Sequence, residues 1–132
     1  MKHVLLMLIF LALSGCDPVE CADQIVKNGT ETDLTLFRIS SMSNIGDTTF
    51  IASNSQSSIS KRNCAKGGVV LSYSAYDSVY ITNSNNNILK IYHPDDTGKN
   101  IFNVDDRNSW KVENIGKDEK KYVFEITDDD LN

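Results

Sequence analysis

Few side chains in this sequence have chemistry to offer. Beyond the first three residues there is one histidine, His93, in Tyr92-His93-Pro94-Asp95-Asp96, where a strand is expected to run into a turn. As a general base it would need a serine or Cys64 brought to it in space, because base and nucleophile must lie within hydrogen-bond reach. No serine stands in a Gly-x-Ser-x-Gly turn, so His93 reads as a surface turn residue and no catalytic residue is assigned. Aspartates cluster at Asp95-Asp96, Asp105-Asp106 and Asp128-Asp129-Asp130, and oxygen-rich loops of this kind can hold calcium. The EF-hand spacing is absent, and turn-forming aspartates on an acidic domain account for these runs. Zinc lacks a ligand set, since the cysteines form no Cys-x-x-Cys and none is near His93. No metal or other cofactor is expected. Tyr73, Tyr76, Tyr80, Tyr92, Trp110 and Tyr122 could stack against a glycan or peptide, but aromatics favour strands and cores, so interior positions are the expectation.

What must position these groups begins at the amino terminus. Met1-Lys2-His3 precedes the apolar run Val4-Leu5-Leu6-Met7-Leu8-Ile9-Phe10-Leu11-Ala12-Leu13, followed by Ser14-Gly15-Cys16. That is the layout of an export signal. A helix needs roughly twenty apolar residues to cross the hydrocarbon core, so this run is too short for a permanent span. Leu13-Ser14-Gly15-Cys16 resembles the lipobox of bacterial lipoprotein precursors. The resemblance implies that the Cys16 thiol is alkylated with diacylglycerol, that a type II signal peptidase cuts between Gly15 and Cys16, and that the new amine is acylated. Cysteine suits this role because its thiolate is nucleophilic near neutral pH. Each buried methylene of an acyl chain adds about 0.8 kcal/mol, so three chains would hold the mature protein on a membrane without spanning it. Asp17 resembles an inner-membrane retention signal of some Gram-negative bacteria, and which membrane is occupied stays open.

With Cys16 assigned to lipid, Cys21 and Cys64 remain as an even pair in an exported chain, where oxidising conditions preserve disulfides. A Cys21 to Cys64 bridge is expected, worth about 4 kcal/mol in the chain-entropy model. Five residues separate Cys21 from the anchor, a reach of about 17 Å at most, so the bridge would keep the domain close to the bilayer.

The body of the chain reads as strands. Gln24-Ile25-Val26-Lys27 and Leu34-Thr35-Leu36-Phe37-Arg38-Ile39 flank the polar Asn28-Gly29-Thr30-Glu31-Thr32-Asp33, which fits a hairpin. Thr48 to Ala52 and Ser57 to Ser60 flank a Ser/Asn loop, and Val69-Val70-Leu71-Ser72-Tyr73 follows Gly67-Gly68. Ser78 to Thr82 and Ile88 to Tyr92 form a second hairpin around Asn83-Ser84-Asn85-Asn86-Asn87. Lys121 to Thr127 alternates as a last strand with Tyr122, Phe124 and Ile126 on one face, and Ile101 to Val104 and Trp110 to Val112 are ambiguous.

Seven or eight short strands with regular turn signals predict an all-β fold, a small antiparallel β-sandwich or barrel. The expected organisation is a cleaved signal over 1–15, a lipidated start and short tether over 16–23, and a single β domain over 24–132. Tyr122 to Asp128 and Asp77 to Ile81 also resemble stretches of small uncharacterised Gram-negative lipoproteins, a resemblance that implies no activity. The formal net charge of -5 becomes -6 when Lys2 leaves with the signal, which argues against nucleic acid as a partner. The expected function is a non-enzymatic, membrane-anchored envelope module that binds a protein or glycan. The alternatives are a structural subunit of an envelope or surface assembly and a small hydrolase using His93 and a serine.

Overall fold

A computed structural model describes residues 18–42, 45–69, 71, 73 and 75–132. Gly15 and Cys16, the expected cleavage and lipidation positions, lie outside the described residues. Eight strands follow one another in the chain: β1 (Val19–Asn28), β2 (Leu34–Ser40), β3 (Ile45–Ile51), β4 (Gln56–Lys66), β5 (Ser78–Asn83), β6 (Ile88–Tyr92), β7 (Lys111–Gly116) and β8 (Glu119–Ile126). A single helical turn, α1 (Asp128–Leu131), closes the chain, with Thr127 as its N-cap and Asp130 bonding back to the Thr127 main chain. The strands form two four-stranded sheets, ordered β4-β1-β8-β7 and β3-β2-β5-β6. Each sheet keeps two free edges, so the expected all-β fold is a sandwich and not a closed barrel.

Period-two alternation decides what faces the space between the sheets. Even-numbered residues of β1 (Ala22, Gln24, Val26, Asn28) and of β2 (Leu34, Leu36, Arg38, Ser40) are buried. Val26, Leu36, Ile51, Ile81, Tyr92, Trp110, Phe124 and Ile126 make up the centre of the core. Tyr92 and Trp110 both pack their rings on Phe124, at centroid distances of 5.7 and 5.3 Å. The β8 pattern holds as read, with Phe124 and Ile126 fully buried and Tyr122 packed against the same cluster. The β5–β6 hairpin also forms. Asn83 Oδ1 accepts the main-chain N–H groups of Asn85 and Asn87, and Asn86 takes the left-handed conformation that asparagine tolerates.

Four expectations need correction. First, β1 and β8 pair in parallel, Cys21 opposite Glu119 through Asn28 opposite Ile126, so the sandwich is not wholly antiparallel. A parallel pair needs a crossover, and here the crossover is everything from β2 to β7, a relation that no local pattern encodes. Second, β1 and β2 do not form a hairpin, because β1 pairs with β4 and β8 whereas β2 pairs with β3 and β5. The intervening segment crosses between sheets around Asn28, whose buried side chain donates to the carbonyls of Thr32, Ile51 and Ala52 and accepts from the Thr30 N–H and hydroxyl. Third, Val69, Leu71 and Tyr73 lie in no strand. Gly67 and Gly68 take φ of 77° and 115°, which turns the chain out of β4, and Tyr73 drops into the core instead. Fourth, β1 begins at Val19 and pairs there with Lys66, so residues 19–23 lie in a strand and not in an irregular lead-in.

Candidate functional site

The inward face of the sandwich changes character halfway along β1 and β2. Toward one end it is Val26, Leu34 and Leu36, and toward the other it is Gln24 and Arg38. The β2–β3 register sets Asp47 opposite Arg38, β4 contributes Ile59 and Ser60, and the segment that leaves β4 through Gly67-Gly68 supplies Tyr73 and Tyr76. These seven residues line a half-open cavity of about 210 Å³.

Arg38 is 6% exposed, and a guanidinium taken so far from water must be paired and hydrogen-bonded. Its Nη1 donates to the Ile59 carbonyl at 3.1 Å, its Nη2 forms an ion pair with Asp47, and its plane lies 5.5 Å from the Tyr76 ring centroid. Its Nε is buried and has no partner among the described residues. The Gln24 side-chain Nε2 and the Tyr73 hydroxyl are likewise buried without a partner among the described residues. Gln24 and Tyr73 are 7% and 3% exposed. Burial raises the Tyr73 phenol above its ordinary pKa, against the lowering effect of the Arg38 charge, so the group remains a neutral O–H. A buried donor left unsatisfied costs about 1–3 kcal/mol, and native interiors hold few of them. Gln24, Arg38 and Tyr73 all line the hollow, whereas two further such atoms, Thr82 Oγ1 and the Tyr92 hydroxyl, belong to residues outside it.

The residues singled out from sequence do other work. Cys21 and Cys64 are directly opposite in the β1–β4 register, with Cα atoms 4.1 Å apart, and form the expected disulfide. Beside it lies a hollow of about 60 Å³, with Arg62 and Glu119 ion-paired at its rim. His93 is exposed on the turn after β6. Its main-chain N–H donates to Asp96 Oδ2 at 2.7 Å and its carbonyl accepts from Asn100 Nδ2 at 2.8 Å. Among the described residues its ring makes no hydrogen bond or ion pair. Asp106 accepts from the Asn108 N–H at 3.0 Å and the Ser109 hydroxyl at 2.8 Å, which hold its carboxyl below the usual range. Asp130 is pulled upward by burial, but the Lys99 ammonium at 2.5 Å and the Thr127 bonds outweigh this and lower it. Among the described residues, no three or more His, Cys, Asp or Glu side chains gather as a metal site. No helix among them is long and apolar enough to cross a membrane.

Of the aromatics, Tyr73, Tyr92 and Trp110 are buried, and Tyr73 and Tyr76 double as walls of the cavity. The sequence reading did not find Gln24 or Arg38. The available signal was an arginine in phase with Leu34 and Leu36, but Phe37 and Ile39 make the opposite face of β2 look equally apolar. That opposite face is the outer surface of the second sheet, where Ile39, Phe50 and Ile88 stay exposed and Phe37, Tyr80 and Ile91 are half-buried. No family model, curated protein or solved structure matches this chain.

Proposed function

We propose that this chain is a lipid-anchored module of the bacterial cell envelope that recognises a partner without catalysing a reaction, and that recognition takes place at the Arg38 cavity. The observation that carries the reading is that Gln24, Arg38 and Tyr73, each with a buried and unpartnered polar atom, line one half-open pocket together with Asp47 and Tyr76. The anchor rests on Leu13-Ser14-Gly15-Cys16 and the apolar run before it. Because β1 begins at Val19, the connector from Cys16 reaches about 10 Å. The domain would therefore sit against the headgroups.

Two measurements test the two halves. Cells fed labelled fatty acid should label the native chain and leave Cys16→Ala unlabelled at precursor size; label in the variant ends the anchor reading. A pull-down from native membranes should recover a ligand or protein with the native chain that Arg38→Gln fails to recover. Identical recoveries from both would remove the cavity from the reading.

The apolar outer face of the second sheet favours a second reading, a structural subunit that packs this face in an envelope assembly. Crosslinking in intact cells separates the two. A stoichiometric protein partner that persists in Arg38→Gln supports assembly, and a partner lost with Arg38 supports recognition at the cavity.

A further inference from the structure

We infer that the outer face of the second sheet pairs with the same face of a second copy of this chain, side by side on the membrane; this rests on the anchor reading and gives the assembly reading of that face its partner. Period-two alternation turns Thr35, Phe37 and Ile39 of β2 outward, and the strand registers place their neighbours. One row across the sheet runs Phe50, Thr35, Thr82, Ile88, and the next runs Thr48, Phe37, Tyr80, Ile91. A third holds Gly46, Ile39 and Ser78. None of these residues carries a charge, and Ile39, Phe50 and Ile88 are 41%, 59% and 56% exposed. The outer face of the first sheet is unlike it, with Lys27 and Lys111 paired to Glu125 and Lys121 paired to Glu113. Chains of net charge -5 repel one another, and a neutral face is where two copies meet with the least repulsion.

Where the chain enters the domain selects the geometry. β1 starts at the end nearest the proposed lipid, so the strands stand on the membrane and the outer faces look sideways along it. Lipid would reach this face only if the domain lay on its side. Two copies anchored in one leaflet are related by a twofold axis along the strands, since an axis across them would point one anchor away from the bilayer. That axis sets β3 of one copy over β6 of the other, and β2 over β5. Phe50 therefore meets Ile88, Phe37 meets Tyr80, and Ile39 faces the small Ser78. Like residues stay apart: Phe50 and its own copy are separated by three strand intervals, about 14 Å. Area sets the strength. Four strands and about six residues of length give a footprint of roughly 400 Å², half the ~800 Å² per partner of a stable complex. The pair is thus weak between free chains and favoured where a shared membrane raises the local concentration.

The test uses the full chain, first scored for fatty-acid labelling and then reconstituted in vesicles. Phe50→Cys and Ile88→Cys chains carrying different tags are reconstituted separately or together and treated with a short bifunctional thiol crosslinker. The mixture should yield a crosslinked pair bearing both tags, about tenfold above either variant alone. Ile39→Glu in both chains places two carboxylates in the interface and should lower that yield about tenfold. The fluorescence maximum of Trp110, a fully buried indole, should stay at its native position in the same samples and so report an intact fold. A fluorophore on Phe50→Cys should escape quenching by brominated acyl chains. Labelled chains that give no crosslink, or equal yields from the single variants and the mixture, overturn the pairing and leave the anchor standing. Quenching by brominated lipid overturns it and assigns the face to the bilayer. Crosslinking of Phe50→Cys to a different protein in native membranes, with no pair in vesicles, overturns it in favour of that partner. Chains that take up no fatty acid end the anchor reading and this inference with it.

Discussion

Asn28 and Tyr73 show how two buried polar side chains can have opposite effects on stability. Asn28 is fully buried and fully used: its amide and carbonyl tie Thr30, Thr32, Ile51 and Ala52 together at the point where the chain leaves one sheet for the other. Asn28→Ala would strand those main-chain carbonyls without donors, and should lower the unfolding free energy by about 3 kcal/mol in urea titrations at constant m-value. Tyr73 is as deeply buried, but its hydroxyl has no partner among the described residues. Tyr73→Phe removes an unsatisfied group without opening a void, so the same titration on ligand-free protein should show a gain of about 1 kcal/mol. A loss above 1 kcal/mol would mean that the hydroxyl is satisfied in the free protein.

At the scale of elements, the first sheet is strapped on its outer surface by Glu125 of β8, which accepts from Lys27 of β1 at 2.7 Å and Lys111 of β7 at 2.8 Å. Those two bonds, with the Lys111 bond the larger influence, depress the Glu125 pKa from its ordinary 4.5 to about 2. The sign follows from linkage. A carboxylate with a lowered folded-state pKa contributes stability above pH 4.5, and that contribution is lost as pH falls towards 2. In Glu125→Gln the fall in urea midpoint between those pH values should be shallower than in the native chain; identical slopes would show that the strap is too screened to matter. A second tie joins β1 to β4. The Cys21–Cys64 bridge closes a separation of 43 residues, and its reduction should cost about 4 kcal/mol in the chain-entropy model. Because Cys21 and Cys64 are already neighbours in the register, the reduced protein should keep its β-sheet circular dichroism while its denaturation midpoint falls.

For the whole molecule, the end of the sandwich where β1 enters also carries the β7–β8 turn and the disulfide. The proposed lipid at Cys16 would place that end about 10 Å or less from the headgroups. A spin label at Pro18 should therefore be strongly relaxed by a paramagnetic headgroup lipid in reconstituted vesicles, and a label at Asn54, beyond the opposite ends of β1 and β2, should not. Equal relaxation at the two positions would mean that the domain lies on its side. Loss of the Pro18 effect in Cys16→Ala would tie it to the anchor.

How much of this was legible depended on whether a property is local. Alternation in Tyr122-Val123-Phe124-Glu125-Ile126, the asparagine turn of the β5–β6 hairpin, and the pairing left to two cysteines were readable because each is written in neighbouring residues or in counting. The all-β class followed from the same signals. Only the tertiary structure decided that β1 lies parallel to β8, that β1 and β2 divide between two sheets, and that the even face of β2 points inward. Those are relations between segments far apart in the chain, and a strand with Leu34 and Leu36 on one face and Phe37 and Ile39 on the other fits either orientation by itself. The candidate site shares that origin: Gln24, Arg38 and Tyr73 come from three segments that share no motif, and folding alone brings them to the wall of one pocket.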